Sequence, residues 1–260
     1  MQKSDDLSTN ADGSSSFVSV SQCEQDKLVL KLLESKRNGF FVDLAANDYI
    51  KLSNSYSIER YYNWSGICIE PNPEYLDGIL SHRKCKLVIN PIYSGMNETV
   101  KFRFRGHESG IIGDEMDNKD KEPADVEMYT VTLTKVLKQF NAPHIIDYFS
   151  LDVEGGEYSV LKNFFDFQND HHYIFLVLTI ERPTERLHSL LLKHHYVFLT
   201  SLRQVMYDKS YYGECIYVHR TIPKLQKIFH EFRNVNINTA WRNTSTNAME
   251  NHPYLLRGGL

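Results

Sequence analysis

Apolar positions along this chain fall into short blocks separated by helical or turn-rich stretches. Strand-like runs lie at residues 40–45, 66–70, 86–93, 146–153, 174–181, 196–200 and 214–219. Phe175-Leu176-Val177-Leu178-Thr179-Ile180 shows no apolar–polar alternation, as expected of a strand covered on both faces. Helical segments are predicted between the runs, at 53–62, 73–82, 131–140, 157–165 and 184–194. Apolar residues at 28, 29, 30, 32 and 33 predict an opening helix within 23–36. Strands alternating with helices predict an α/β domain with a mostly parallel, doubly wound sheet.

The interval 95–130 breaks this rhythm. Val100-Lys101-Phe102-Arg103-Phe104-Arg105 alternates apolar and basic residues, which predicts an edge strand. Gly106 to Lys121 holds three glycines and many charges, and reads as a loop long enough to be a substrate lid. Residues 1–20 are rich in Ser, Asp and Asn and read as a disordered tail. The single domain spans 21–222. A short amphipathic helix from Pro223 to Arg233 and an Asn/Thr-rich tail complete 223–260.

Composition narrows the function classes. Of the 260 residues, 42% are hydrophobic and 24% charged, an ordinary globular balance. A net charge of −4 leaves no electrostatic footprint for nucleic acid. No apolar run is long enough for a membrane span, and the start at Met1 is not read as a signal peptide. Cys23, Cys68, Cys85 and Cys215 are scattered. Cys68 and Cys215 lie in apolar runs and read as buried free thiols of a reducing, cytoplasmic compartment. Asn63-Trp-Ser, Asn97-Glu-Thr and Asn243-Thr-Ser fit the glycosylation pattern and are read as chance matches in that setting.

The candidate chemistry sits at strand ends. In a doubly wound sheet, ligands bind outside the carboxyl ends of the strands where the strand order reverses. Asp43 to Tyr49 follows the first strand and has no glycine, so a cofactor without phosphates suits this turn. Glu70 ends the second strand before Pro71-Asn72-Pro73; a carboxylate there can accept from ribose hydroxyls, or be a solvated strand-end acid. Asp152, Glu154 and Glu157 crowd Gly155-Gly156, where mutual repulsion would suit a general base. Either Asp152 or Glu154 is open to a structural role, and Glu157 also reads as a first-turn acid favoured by the helix dipole. Glu181-Arg182 is either a surface ion pair or a substrate contact. His107 in the loop is a further base or a solvated histidine. His171-His172 and His194-His195 lack metal-ligand spacing, and no zinc site is read. Tyr158 and Lys162 match the Tyr-x-x-x-Lys of short-chain reductases, but helix packing is the better reading.

Four segments together carry a resemblance. Phe41-Val-Asp-Leu-Ala-Ala-Asn-Asp, Trp64-Ser-Gly-Ile-Cys-Ile-Glu-Pro-Asn-Pro, Ile146-Asp-Tyr-Phe-Ser-Leu-Asp-Val-Glu-Gly-Gly-Glu and Leu178-Thr-Ile-Glu-Arg-Pro resemble the FkbM family of S-adenosylmethionine-dependent methyltransferases, over roughly 38–220. The resemblance implies a Rossmann-like class I methyltransferase fold. Its seven strands run in the order 3-2-1-4-5-7-6, with the last strand antiparallel. It implies S-adenosylmethionine as cofactor and O-methylation of a sugar or other small-molecule hydroxyl, with no metal assigned. Carried over position by position, Asp43, Ala45, Asn47, Glu70, Pro71, Asn72 and Asp152 would hold the cofactor, with Asp43 and Asn47 at its methionine end and Glu70 on its ribose. Asp152 and Glu154 would face the transferring methyl, with His107 as the outsider for the base. Glu181 and Arg182 would meet the acceptor. Ala45 and Tyr49 stand where the family usually has glycines, and tyrosine is the larger departure because a bulky residue takes positive φ only at a cost.

The expectation is a cytoplasmic S-adenosylmethionine-dependent methyltransferase acting on a small-molecule or glycan acceptor. The rivals are a methyltransferase-like interaction module that has lost cofactor binding, and a nicotinamide-dependent reductase built on Tyr158 and Lys162.

Overall fold

The computed structural model describes residues 17–119, 124–167, 172–202 and 213–234. The sheet strands appear where the apolar runs predict them. They are β1 (Phe40–Leu44), β2 (Ser65–Ile69), β3 (Lys86–Val88), β7 (Ile145–Leu151), β8 (Ile174–Glu181), β9 (Tyr196–Leu202) and β10 (Glu214–His219). They form one seven-stranded sheet in the order β3-β2-β1-β7-β8-β10-β9. All pairs from β3 to β8 are parallel, and β10 is antiparallel to both of its neighbours. This is the predicted order with one reversed strand, and the strand order turns back between β1 and β7.

Helices cover both faces. Leu133, Val136 and Leu137 of α4 (Leu133–Gln139), Val160, Leu161 and Phe164 of α5 (Glu157–Asp166), and Leu187 and Leu191 of α6 (Glu185–Lys193) pack on Val42, Ile67, Leu178 and Tyr217. On the other face Leu28, Val29 and Leu32 of α1 (Gln25–Leu32), Ile58 of α2 (Tyr56–Tyr62), Ile79 of α3 (Pro73–His82) and Ile228 of α7 (Leu225–Asn234) pack on Phe41, Tyr148, Val177 and Ile216. Neighbouring strand residues such as Phe41 and Val42 thus feed opposite cores, which explains the unbroken apolar runs. Helix starts follow local chemistry. The side chains of Asn72, Thr132 and Thr184 cap α3, α4 and α6 by accepting from Glu74, Lys135 and Leu187 amides, and Pro73 occupies the first helical position, where its missing N–H costs nothing.

Four expectations change. Val100–Arg105 is not an edge strand of the main sheet: β4 (Thr99–Arg103) is the central strand of a separate antiparallel sheet, between β5 (Gly110–Ile111) and β6 (Val126–Tyr129). Its partners are two short segments, one inside the expected loop, with too few residues to show a period. The helix predicted from residue 53 begins at Tyr56; before it, Ser53 and Ser55 accept from Arg83 and Asn54 donates to the Ser150 hydroxyl at 2.9 Å. The tail ends earlier than residue 20: Phe17 packs edge-on against Tyr61 and Tyr62 at 5.5 and 5.8 Å, and Ser57 donates to the Val18 carbonyl. Residues 1–16, the end of the expected 106–121 loop, and the tail beyond 234 lie outside the described residues.

The fourth change concerns Cys68, which is not a free thiol. It is bonded to Cys85. Cys68 lies opposite Leu87 in the β2–β3 register, so the approach to β3 lays Cys85 beside it; spacing along the chain does not reveal this. Cys215 is free and buried as expected, and burial pushes its thiol far above the ordinary range; the half-buried Cys23 thiol is pushed up to about 12.

The Cys68–Cys85 bond closes a loop with a sequence separation of 17. Opening it should cost on the order of 3 kcal/mol by the loop-entropy relation. Urea unfolding of the oxidised chain, of the chain kept in reductant and of Cys85→Ser should give a higher midpoint for the oxidised chain alone. Three equal midpoints would contradict the linkage.

Candidate active site

The parallel strands β1, β2, β7 and β8 end at one rim. β10 runs the other way and therefore starts at that same rim, with Glu214 opposite Glu181. This topology collects the acids that the sequence distributes over nearly two hundred residues. An open cleft of about 680 Å³ lies there, within the size range of small-molecule sites. Its walls include Asp43, Ala45, Asn47, Asp152, Glu154 and Glu181. His107 and Arg182 also face this cleft. A narrow apolar crevice of about 30 Å³ adjoins it, lined by Glu70, Pro71, Ile92, Tyr93 and Phe102 among others. Of the predicted residues only Asn72 lines neither space; it is buried behind them.

Glu70 is buried and holds the two turns that form one side of the site. One carboxylate oxygen accepts the Asn47 backbone N–H at 2.8 Å, and the other accepts the Asn72 N–H at 2.7 Å. Burial pushes the carboxyl up to about 7 against the pull of these donors. Asn72 extends the clamp by donating from its side chain to Ser109 at 3.0 Å. Asp43 is buried below the β1 turn and accepts from the Ser55 hydroxyl; burial raises its carboxyl, with Ser55 and Arg83 opposing. Arg83 is itself buried, bonded to Glu59 at 2.6 Å, Ser53 at 3.1 Å and Ser55 at 2.7 Å. Nothing in the motifs singled out Arg83. Its nearness to the site depends on packing of α2 against α3.

The turn after β1 departs from expectation in an instructive way. Ala45 has φ 66 and Asn47 φ 54, both left-handed, while Tyr49 is not among the residues with positive φ. The backbone demand for glycine therefore falls on Ala45, not on Tyr49. Tyr49 stacks on His82 at 4.3 Å and lies over Gly78, where an added Cβ would meet its ring at 2.7 Å.

The opposite side of the cleft is a concentration of carboxylates. β7 ends at Leu151, and Glu154 and Gly155 turn with φ 55 and φ 102. Past the end of the strand, one oxygen each from Asp152, Glu154 and Glu181 lie within 4.8 Å of one another. The Arg182 guanidinium bonds Asp117 at 2.6 Å, Glu154 at 3.1 Å and Glu181 at 2.8 Å. Burial and the charge of Glu181 push Glu154 up to about 7 even so. Burial, then Glu181, Glu214 and Glu154, hold Asp152 well above the usual range, and burial pushes Glu214 up to about 8. Glu157 accepts the Val153 and Gly155 amides at 3.0 and 3.2 Å; it holds the turn as a first-turn acid.

The segment read as a lid lies on this turn. Asp117 N–H donates to the Glu154 carbonyl at 2.8 Å, and a Cβ on Gly155 would meet Met116 and Asp117 backbone atoms at 3.0 Å. Exposed His107 reaches the cleft from the same segment. Tyr158 and Lys162 do not line either space: Arg186 lies over the Tyr158 ring at 3.7 Å, and Lys162 pairs with Asp166. Glu214 and Asp117 are the site residues that sequence reasoning missed. An acid heading the apolar strand run at 214–219 was the one available signal.

Comparison with protein families now decides what this rim belongs to. The model of the methyltransferase FkbM domain matches residues 43–198. The chain belongs to the FkbM methyltransferase family. As an FkbM protein it is an S-adenosylmethionine-dependent methyltransferase. Among solved structures it is similar to the precorrin-6y C5,15-methyltransferase from Geobacter metallireducens GS-15, at 13% identity and TM-score 0.39 over 74% of this chain and 84% of that one. It is also similar to M. capricolum TrmK in complex with S-adenosyl-homocysteine, at 11% identity and TM-score 0.38 over 79% and 70%. No curated protein matches the chain. The side chains present fit the cofactor. Its sulfonium and ammonium charges suit an acid-lined cleft, and its lack of phosphates suits a turn without a glycine-rich cradle.

Two outcomes follow for the β1–β2 side. Ala45→Gly relieves a left-handed alanine, so stability should rise by up to about 1 kcal/mol, read as a higher melting temperature; a fall would refute the strain at Ala45. Glu70 has a folded-state carboxyl pushed up to about 7 from an ordinary 4.5, so its contribution is fully present below 4.5 and is lost as pH rises through 7. Wild type should therefore exceed Glu70→Gln in stability by most near pH 4.5. The gap should narrow by a few kcal/mol above pH 7, measured by denaturant unfolding across pH. A gap independent of pH would contradict the raised carboxyl.

Proposed function

We propose that this FkbM methyltransferase methylates a hydroxyl of a small-molecule or glycan acceptor. The observation that carries the reading is the meeting of two unlike walls in one cleft. The β1–β2 turns are held rigid by Glu70, and the Asp152–Glu154–Glu181 wall faces them. The cofactor supplies a methyl group already activated by sulfonium. Asp43, Ala45, Asn47 and Asp152 hold its methionine end in this reading. Each Glu70 oxygen keeps acceptor capacity beyond its one backbone donor, enough for the ribose hydroxyls, and Pro71 offers an apolar edge to the crevice.

Glu181 and Arg182 position the acceptor, and holding its oxygen in line with the methyl lowers the barrier. As the O–CH3 bond forms and the C–S bond breaks, the hydroxyl proton passes to a carboxylate. Glu154 is the first candidate and Asp152 the second, with His107 across the cleft as the third. The contacts that residues 109 and 117 make with Asn72 and Glu154 favour this reading over an interaction module, since they border a cleft of small-molecule size. The position of Tyr158 and Lys162 outside the cleft removes the motive for a reductase.

Calorimetric titration should show the chain binding S-adenosylhomocysteine, and a screen of hydroxylated acceptors should yield turnover. Glu154→Gln should then lower kcat by roughly 10²–10⁴-fold with cofactor affinity kept, the usual contribution of a general base. No cofactor binding at all would favour the interaction module, and unchanged kcat would move the base to Asp152 or His107.

A further inference from the structure

The Asp152 wall gathers four carboxyls, Asp152, Glu154, Glu181 and Glu214, at one point of the rim. Asp152, Glu181 and Glu214 stand in a row on three adjacent strand ends. Leu151 is in register with Ile180 on β7 and β8, and Glu214 with Glu181 on β10 and β8. Glu154 joins them from the turn, bringing one oxygen each of Asp152, Glu154 and Glu181 within 4.8 Å. Among the described residues the cation bonded to this group is Arg182, which pairs with Glu154, Glu181 and Asp117. Two further oxygens, Oδ1 of Asp152 and Oε1 of Glu214, are buried with no hydrogen-bond partner among the described residues, and Glu214 is only 6% exposed. Directly opposed residues on antiparallel strands put their side chains on the same face, so Glu214 faces the Glu181 carboxylate. Buried acceptors of this kind are ordinarily satisfied.

We infer that Asp152, Glu154 and Glu181 bind one divalent cation of the Mg²⁺, Mn²⁺ or Ca²⁺ class, with Glu214 as the buried acid behind them. Oxygen ligands at about 2.0–2.6 Å from such an ion lie within about 5 Å of one another, and these three do. An all-oxygen carboxylate set selects hard cations over zinc or copper. Arg182 bonds one oxygen each of Glu154 and Glu181, which leaves each carboxylate a second oxygen for the ion. The site opens on the cleft, so open coordination positions face the acceptor. A hydroxyl bound there would be acidified by the ion, with Glu154 serving as a ligand while the ion is present. The inference stands on the side chains and does not require the acceptor to be a hydroxyl.

The test is Mn²⁺ binding to the full chain after treatment with a chelator, followed by electron paramagnetic resonance. One Mn²⁺ per chain should bind below about 1 mM, and Mg²⁺ should compete for it. Glu181→Gln and Glu154→Gln should each weaken binding at least tenfold, since even outer-shell changes at metal sites cost roughly 10–100-fold. Asp166→Asn, an exposed acid on α5, should bind as wild type does. Melting curves identify a variant that fails to fold, and the other then decides. No Mn²⁺ uptake at 1 mM, or equal uptake by all three variants, overturns the site. Methyl transfer persisting in chelator with no Mn²⁺ uptake would remove this inference and leave the methyltransferase reading standing.

Discussion

A single carboxylate between two turns organises one half of the rim. Glu70 sits at the end of β2 and takes a backbone N–H from the turn after β1 and another from the turn after its own strand. Each turn alone would present unsatisfied N–H groups to the cleft. Joined through Glu70 they form a rigid wall, and the burial this requires is what raises the carboxyl. Behind it, Arg83 ties Glu59, Ser53 and Ser55 together, and Ser55 passes the contact to Asp43. Breaking a buried pair of this kind strands an uncompensated charge. The position of Asp43 thus rests on residues that never reach the ligand space.

The other half of the rim follows the opposite logic. Here carboxyls are gathered together, with Asp152, Glu154 and Glu214 all raised by burial and by the charge of neighbouring acids. Such crowding costs stability, and groups perturbed by burial and like charge mark functional surfaces. A sulfonium cofactor, a proton in transit or a divalent ion would each relieve it. The reversed strand β10 is central to this arrangement: had it run parallel, Glu214 would lie at the far edge of the sheet.

The fold was largely legible in the sequence because its signals are local. An apolar run such as Phe175–Ile180 demands cover on both faces whatever its neighbours are, and Asn72-Pro73, Thr132 and Thr184 begin helices through contacts within a few residues. The strand-end acids Asp43, Glu70, Asp152, Glu154 and Glu181 were found for the same reason, since strand ends in this architecture face one rim. What failed was non-local. Val100–Arg103 looked like an edge strand because its partners were two and four residues long. Cys68 looked free because Cys85 reaches it only once β2 and β3 pair. Tyr49 looked strained because the turn's dihedrals are set by how the β1 and β2 ends meet, and they place the positive φ on Ala45.

The sequence by itself determined the alternation of strands and helices, the acids that end the strands and the family to which they belong. Only the tertiary structure decided which acids touch. The turn after Leu151, with Glu154 at φ 55, and the pairing of β7 with β8 bring Asp152 and Glu154 to Glu181 from a distant part of the chain. The antiparallel entry of β10 brings Glu214 to Glu181 from beyond a long intervening segment, and the packing of α2 and α3 delivers Arg83 beneath Asp43. The physical reason is one of range. Periodicity and capping act over a few residues, whereas desolvation and charge repulsion depend on neighbours that chain folding alone supplies.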